Sequence, residues 1–88
     1  MQPIRLLAEL EALAARLGVT VRTEPFGGGI LDGHGGLCRI RGQPLVVMDA
    51  SLGTEDRIEV LATALATFDL EGVFVAPVVR QRIEAAKG

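Results

Sequence analysis

The chain has 88 residues, which is enough for one domain with a single modest core, so we expect residues 1–88 to fold as one unit. Nine basic and eleven acidic residues give a net charge of −2, and no block of Lys or Arg occurs, which argues against a nucleic-acid-binding protein. The single cysteine excludes an internal disulfide and favours a reducing compartment. The sequence therefore predicts a cytoplasmic protein.

The apolar share of the sequence is high for so short a chain. Apolar residues make up 49% of it, and only three residues are aromatic, so the core must be aliphatic. A domain of this size has little interior, because it buries only about 60–65% of its extended surface. We therefore expect apolar surface to remain exposed and to contact another molecule. A homo-oligomer, with a dimer favoured, is the leading prediction, and an unidentified protein partner is the alternative.

The first predicted element is an amphipathic helix over residues 3–17. It starts with a proline, which suits the first turn, and its leucines recur every three or four residues. Gly18 is suited to end it in a left-handed conformation. Glu9 and Glu11 interrupt the apolar run, so the segment is neither a signal sequence nor a membrane span. Residues 19–24 then alternate between apolar and polar, which predicts a half-buried strand.

Residues 26–36 contain six of the eleven glycines. Neither GxxxxGK[ST] nor a GxGxxG between strand and helix occurs, so we predict a surface loop, and whether it becomes ordered on binding stays open. Asp32, His34 and Cys38 fall short of the four ligands of a structural zinc site. We expect a solvated His34 and a buried, inert Cys38. The alternative is a ligand site or a thiol-dependent catalytic site in this region.

Residues 36–50 predict a β-hairpin whose two-residue turn, 42–43, is of type II′. One apolar face then carries two cross-strand pairs: Ile40 with Leu45, and Cys38 with Val47. The other face carries Leu37, Val46 and Met48. If the first two helices cover only the first face, the face with Leu37, Val46 and Met48 must be covered by the third helix or by a partner. This second face is therefore the predicted interaction surface. Arg39, with Arg41 and Arg57, is a candidate for binding a carboxylate or phosphate, although solvated charges are the commoner explanation.

Residues 54–68 predict a second helix, capped by Thr54 or Ser51, and residues 77–86 a third. Thr63 and Thr67 share one side of the second helix. Most such pairs are ordinary surface residues, although small side chains there would also let another subunit approach closely. Residues 73–75 could add a strand or fill the core. The predicted fold is α+β, with three helices on a small, mainly antiparallel sheet of three to four strands in the order α-β-β-β-α-α.

This order of elements resembles the N-terminal part of ImmA/IrrE-type metallopeptidase domains. The similar portion spans residues 13–70 and includes LGVTVR, GGLCRIRGQPLVVMDASL and RIEVLATALATFDL. In that zincin-like family the helix after the hairpin carries a zinc-binding HExxH, whose positions are occupied here by Thr63, Ala64 and Thr67. Threonine lacks the imidazole nitrogens that hold the metal, and alanine cannot take a proton. The resemblance therefore implies a shortened member without a metal site.

We thus predict no catalytic residue, no cofactor and no metal. The leading hypothesis is a non-catalytic, self-associating interaction or accessory module that binds neither nucleic acid nor membrane. The competing hypothesis is a small ligand-binding protein or enzyme, with His34, Cys38 and Arg39 as the candidate site residues.

Overall fold

The computed structural model describes residues 1–25 and 35–87. The elements run in the order α1 (Pro3–Arg16), β1 (Thr20–Glu24), β2 (Gly35–Ile40), β3 (Gln43–Asp49), α2 (Thr54–Leu65) and α3 (Pro77–Ala86). This is the predicted α+β fold, with three helices and three strands in the predicted order. The fourth strand considered for residues 73–75 is not formed, since this described stretch is irregular, with Val75 buried and Phe74 76% exposed. In the two described ranges, no helix is both long enough and apolar enough to cross a membrane.

The sheet is mixed, with β3 in the centre and the order β1-β3-β2. β2 pairs with β3 in antiparallel orientation, whereas β1 pairs with β3 in parallel orientation. The antiparallel pairing predicted for the hairpin is therefore confirmed, and the parallel pairing of β1 makes the sheet mixed. The run at residues 45–48, Leu-Val-Val-Met, is apolar on both faces, which is typical of a central strand.

The turn between β2 and β3 is formed by Arg41 and Gly42, which have φ values of 53° and 80°. Two positive φ values are the signature of a type I′ turn, so the predicted type II′ turn at residues 42–43 was wrong. The predicted turn would have made residue 44 the donor that closes the hairpin, and Pro44 has no N–H to donate. In the observed register, Pro44 lies opposite Arg39 instead.

The helices cover the face of the sheet that carries Leu37, Val46 and Met48. α2 packs against β2 and β3, α1 packs against β1, and α3 packs against the other two helices. Val46 and Met48 are completely buried in this core, and Leu37 is partly buried against it. The prediction that these three residues form an exposed interaction surface was therefore wrong for Val46 and Met48. On the other face Cys38 is exposed and Ile40 is 53% exposed.

The start of α2 is held by an arginine side chain rather than by a helix cap. The residue before the helix is Gly53, without a side-chain cap hydrogen bond, so the predicted capping by Thr54 or Ser51 was wrong. Arg57 is partly buried, and its guanidinium donates to two carbonyl oxygens of the preceding turn, those of residues 52 and 50, both at 3.0 Å. These bonds connect the end of β3 to α2 and so set the position of α2 beside the hairpin.

Candidate functional site: the open edge of the sheet

β2 lies at one edge of the sheet, with β3 on one side and no described strand on the other. In a two-residue hairpin, the residues that flank the turn exchange both backbone hydrogen bonds, and bonded and non-bonded pairs alternate from there. The flanking pair is Ile40 and Gln43, so Cys38 and Gly36 also bond to β3. The same alternation turns the N–H and C=O groups of the remaining residues away from β3: Gly35, Leu37 and Arg39. Gly35, with a φ of 125°, departs from the regular strand conformation on which this alternation is based. Within residues 1–25 and 35–87, no strand pairs with these outward-facing donors and acceptors.

The two edges of the sheet differ in charge. β1 carries Arg22 and Glu24, which form an ion pair at 3.0 Å, and it is followed by Pro25. Charges and prolines of this kind discourage another strand from pairing with an edge. β2 has a single charged residue, Arg39, among its six. Of the two edges, β2 is therefore the better template for an additional strand.

A groove of about 290 Å³ lies between β2 and α2. Its lining consists of Gly35, Gly36 and Leu37 from the strand and Glu59, Val60, Thr63, Ala64 and Thr67 from the helix or just beyond it. The Thr67 hydroxyl donates to the Ala64 carbonyl oxygen at 2.7 Å, and the Glu59 carboxylate pairs with the Arg82 guanidinium. The groove is thus walled mainly by small and apolar groups and lies directly beside the open edge.

The groove contains the threonines that the sequence had singled out. Thr63 and Thr67 were expected to be surface residues on a side of α2 that another subunit could also approach closely, and both line the groove. Glu59 and Val60 were missed. They precede Thr63 by four and three residues, so the helical repeat was a signal that could have found them. Among the described residues, no three side chains of the types His, Cys, Asp and Glu cluster closely enough to hold a metal ion.

The other predicted site residues are not brought together by the described part of the chain. Asp32 and His34 lie outside the described residues, so their grouping with Cys38 stays a prediction. Cys38 is exposed, so the expectation of a buried thiol was wrong. Arg39 and Arg41 are also exposed, whereas Arg57 is occupied by backbone carbonyls. The described contacts therefore do not show these three arginines converging on one anion.

Two further surface features lie near α3. A pocket of about 320 Å³ is lined by residues 68–73 together with Arg80 and Lys87. It holds charges of both signs, since residues 69 and 71 are acidic, and Lys87 is paired with Glu84 at 3.3 Å. The second feature is a pair of exposed apolar side chains, Phe74 and Val78. Neither feature combines an apolar depression with unpaired backbone groups, as the β2 edge does.

No family model, curated protein or solved structure matches the chain. The resemblance to ImmA/IrrE-type domains therefore stays a prediction. Only the geometry of the β2 edge and its groove supports a functional role for this site.

Proposed function

We propose that this chain is a non-catalytic interaction module that self-associates through the open edge of β2. The single observation that carries the proposal is the combination of an edge strand with one charge in six residues and a mainly apolar groove beside it. An unprotected edge strand is a template for pairing, and proteins that do not use such an edge usually protect it with charges, prolines or a bulge.

The magnitudes favour a dimer of moderate affinity. Pairing two such edges forms about six backbone hydrogen bonds, each with a net contribution of about 0.5–1.5 kcal/mol, so roughly 3–9 kcal/mol together. Association costs about 4–15 kcal/mol in lost translational and rotational freedom. The hydrogen bonds alone therefore do not suffice, and apolar contacts at the groove must supply the remainder. We expect a dissociation constant in the micromolar range.

We also propose a cytoplasmic location. The support for it is the exposed thiol of Cys38, because a free, accessible thiol persists in a reducing compartment and is oxidised outside it.

The test is native mass spectrometry of protein purified without a metal-affinity resin, at concentrations from below to well above 10 μM. We expect a growing population at twice the 9.3 kDa chain mass, with no added ligand mass. A single-chain mass at every concentration would contradict self-association. Light scattering of the same samples is the control for complexes that form only in the spectrometer.

The second candidate function is a ligand-binding or thiol-dependent activity that uses Asp32, His34 and Cys38. The observation in its favour is that the Cys38 thiol is accessible. The same mass spectra separate the two candidates, because a single chain that retains an ion or small molecule would favour this alternative over the interaction module.

A further inference from the structure

We propose that two copies of the chain join β2 to β2 around a two-fold axis, antiparallel, with Leu37 of one copy directly opposite Leu37 of the other. This inference rests on the proposed function and specifies its geometry. The two three-stranded sheets become one continuous sheet with β2 of both copies at its centre, and the helices of both copies lie on the same face.

Symmetry restricts the possible registers. A closed dimer uses the same surface on both copies, related by a two-fold axis. When that axis is perpendicular to the sheet, the two edge strands run antiparallel and each side chain stays on its own face. A residue that faces the helices then lies opposite another residue that faces the helices. The pairing must therefore be centred on one residue of β2 and cannot be centred between two residues.

The outward-pointing backbone groups select among these registers. Gly35, Leu37 and Arg39 are the residues whose N–H and C=O groups face away from β3. When the pairing is centred on Leu37, all three find a partner, because Gly35 of each copy lies opposite Arg39 of the other. When it is centred on Cys38 or Gly36, only two of the three find a partner within the strand. The Leu37-centred register therefore forms the most hydrogen bonds.

The charges agree with the same register. Arg39 of one copy lies opposite Gly35 of the second copy, and Gly35 lines the groove that also contains Glu59. The Glu59 side chain is 63% exposed while it pairs with Arg82, so it remains accessible to a second cation. This juxtaposition of Arg39 and Glu59 occurs twice by symmetry, and the two Arg39 side chains never lie opposite each other. The interface is thus complementary in charge to itself.

The position of α2 is compatible with this approach. α2 contacts both β2 and β3, so we place its axis above the space between them. With strands about 4.8 Å apart, the axis lies about 5 Å from the two-fold axis, and the two α2 helices lie about 10 Å apart. Helices pack at about 8–10 Å, and close packing needs small residues at the contact. Thr63 and Thr67 supply such residues on the groove side.

The first test compares Leu37→Pro with Leu37→Ala. Both variants remove the leucine side chain, but only proline removes the outward N–H at the centre of the proposed pairing. That N–H makes no bond to β3, so the single chain should still fold, which circular dichroism checks. Because both variants lose the same apolar side chain from each copy, we expect Leu37→Pro to raise the dimer Kd at least about 10-fold more than Leu37→Ala does.

The second test uses Cys38 in the unsubstituted chain and does not depend on the folding of a variant. In the Leu37-centred register, the two Cys38 residues are diagonal neighbours on the exposed face, with Cα atoms about 7–8 Å apart. A short bismaleimide of about 8 Å should therefore couple them rapidly. A disulfide should form poorly, because Cα atoms more than about 7 Å apart are not bridged without backbone movement. Cys38→Ser is the control for coupling elsewhere.

The outcomes separate this inference from the proposed function. Coupling by the bismaleimide, with a monomeric Leu37→Pro variant, supports the geometry. Rapid disulfide formation between Cys38 residues would overturn it in favour of the Cys38-centred register. A dimer that persists in Leu37→Pro and shows no coupling at Cys38 would overturn edge pairing but leave self-association intact. A chain that is monomeric at every concentration would overturn both.

Discussion

The sharpest test of the β2–β3 pairing is to replace Gly35 by alanine and to compare it with the neighbouring change, Gly36→Ala. Gly35 has a φ of 125°, a region that is essentially restricted to glycine. A Cβ atom on Gly35 would lie only 2.0 Å from the carbonyl oxygen of Val47. A Cβ on Gly36 would meet nothing within 4 Å. The two substitutions add the same methyl group to adjacent residues of one strand, so they form a matched pair.

The expected magnitudes follow from these two constraints. The unfavourable φ costs alanine about 1–3 kcal/mol, and the overlap adds about 1–3 kcal/mol, since the atoms in contact belong to the backbone and cannot rotate away. We expect Gly35→Ala to lower the free energy of unfolding by roughly 2–6 kcal/mol. Because Gly35 is the first residue of β2, fraying of that end favours the lower part of this range. Gly36→Ala should raise the free energy of unfolding by up to about 1 kcal/mol, because alanine reduces the entropy of the unfolded chain.

The assay is thermal unfolding followed by circular dichroism. In a domain of this size, 1 kcal/mol shifts Tm by about 4–8 °C, so Gly35→Ala should lower Tm by about 10 °C or more. All samples must have the same protein concentration, because self-association makes Tm depend on concentration. An unchanged Tm for Gly35→Ala would refute the close approach to Val47. Equal destabilisation by both variants would show that the effect does not come from the geometry of residue 35.

Three further predictions concern the core, the turn before α2 and the thiol. Ile83 is completely buried, so Ile83→Ala should lower the free energy of unfolding by about 2–5 kcal/mol in urea denaturation. Ile4 is 73% exposed, so the control variant Ile4→Ala should change this free energy by less than about 0.5 kcal/mol. Arg57→Ala should cost about 1–3 kcal/mol by the same assay, and Arg57→Lys should restore only part of this, because an ammonium group does not reproduce the guanidinium fork that holds two carbonyls. Cys38 should react with a thiol reagent nearly as fast in the folded protein as in urea; more than about 10-fold protection, measured by absorbance, would contradict its exposure.

The helices were predictable because their signals are local. α1 was predicted over residues 3–17 and spans Pro3–Arg16, and α3 was predicted over residues 77–86 and spans Pro77–Ala86. In both cases a proline marks the first turn and an apolar stripe marks the buried side. Gly18, at a φ of 76°, follows α1 in the left-handed conformation that was expected of it.

The register of the hairpin was predicted wrongly, although the sequence contained the necessary information. The preference for glycine at the first turn position favoured residues 42–43, because a positive φ at Arg41 is unusual for a non-glycine residue. Pro44 is the stronger constraint, since a missing donor at the closing pair removes a hydrogen bond outright. Counting the donors of each candidate register would have selected the observed turn.

The choice of core face could not be made from the hydrophobic pattern. β3 is apolar on both faces, and β2 places one large apolar residue on each, Leu37 towards the helices and Ile40 away from them. Period-two alternation assigns residues to faces but does not say which face the helices cover. That choice depends on how the chain leaves β3 and enters α2, where the side chain of Arg57 holds the turn. Such a contact between side chain and backbone carries no periodic signal.

The position of the core face also separates the two candidate functions in space. Leu37 lies on the helix side of β2 and lines the groove, whereas Cys38, the next residue, lies on the opposite face. Activity at the thiol and association through the edge therefore depend on different surfaces of the same strand. It follows that Cys38→Ser should abolish any thiol chemistry without weakening the dimer. Leu37→Pro should weaken the dimer and leave any thiol chemistry unchanged. A protein in which either substitution removes both properties would require a single site that spans the strand, and this fold does not provide one among its described residues.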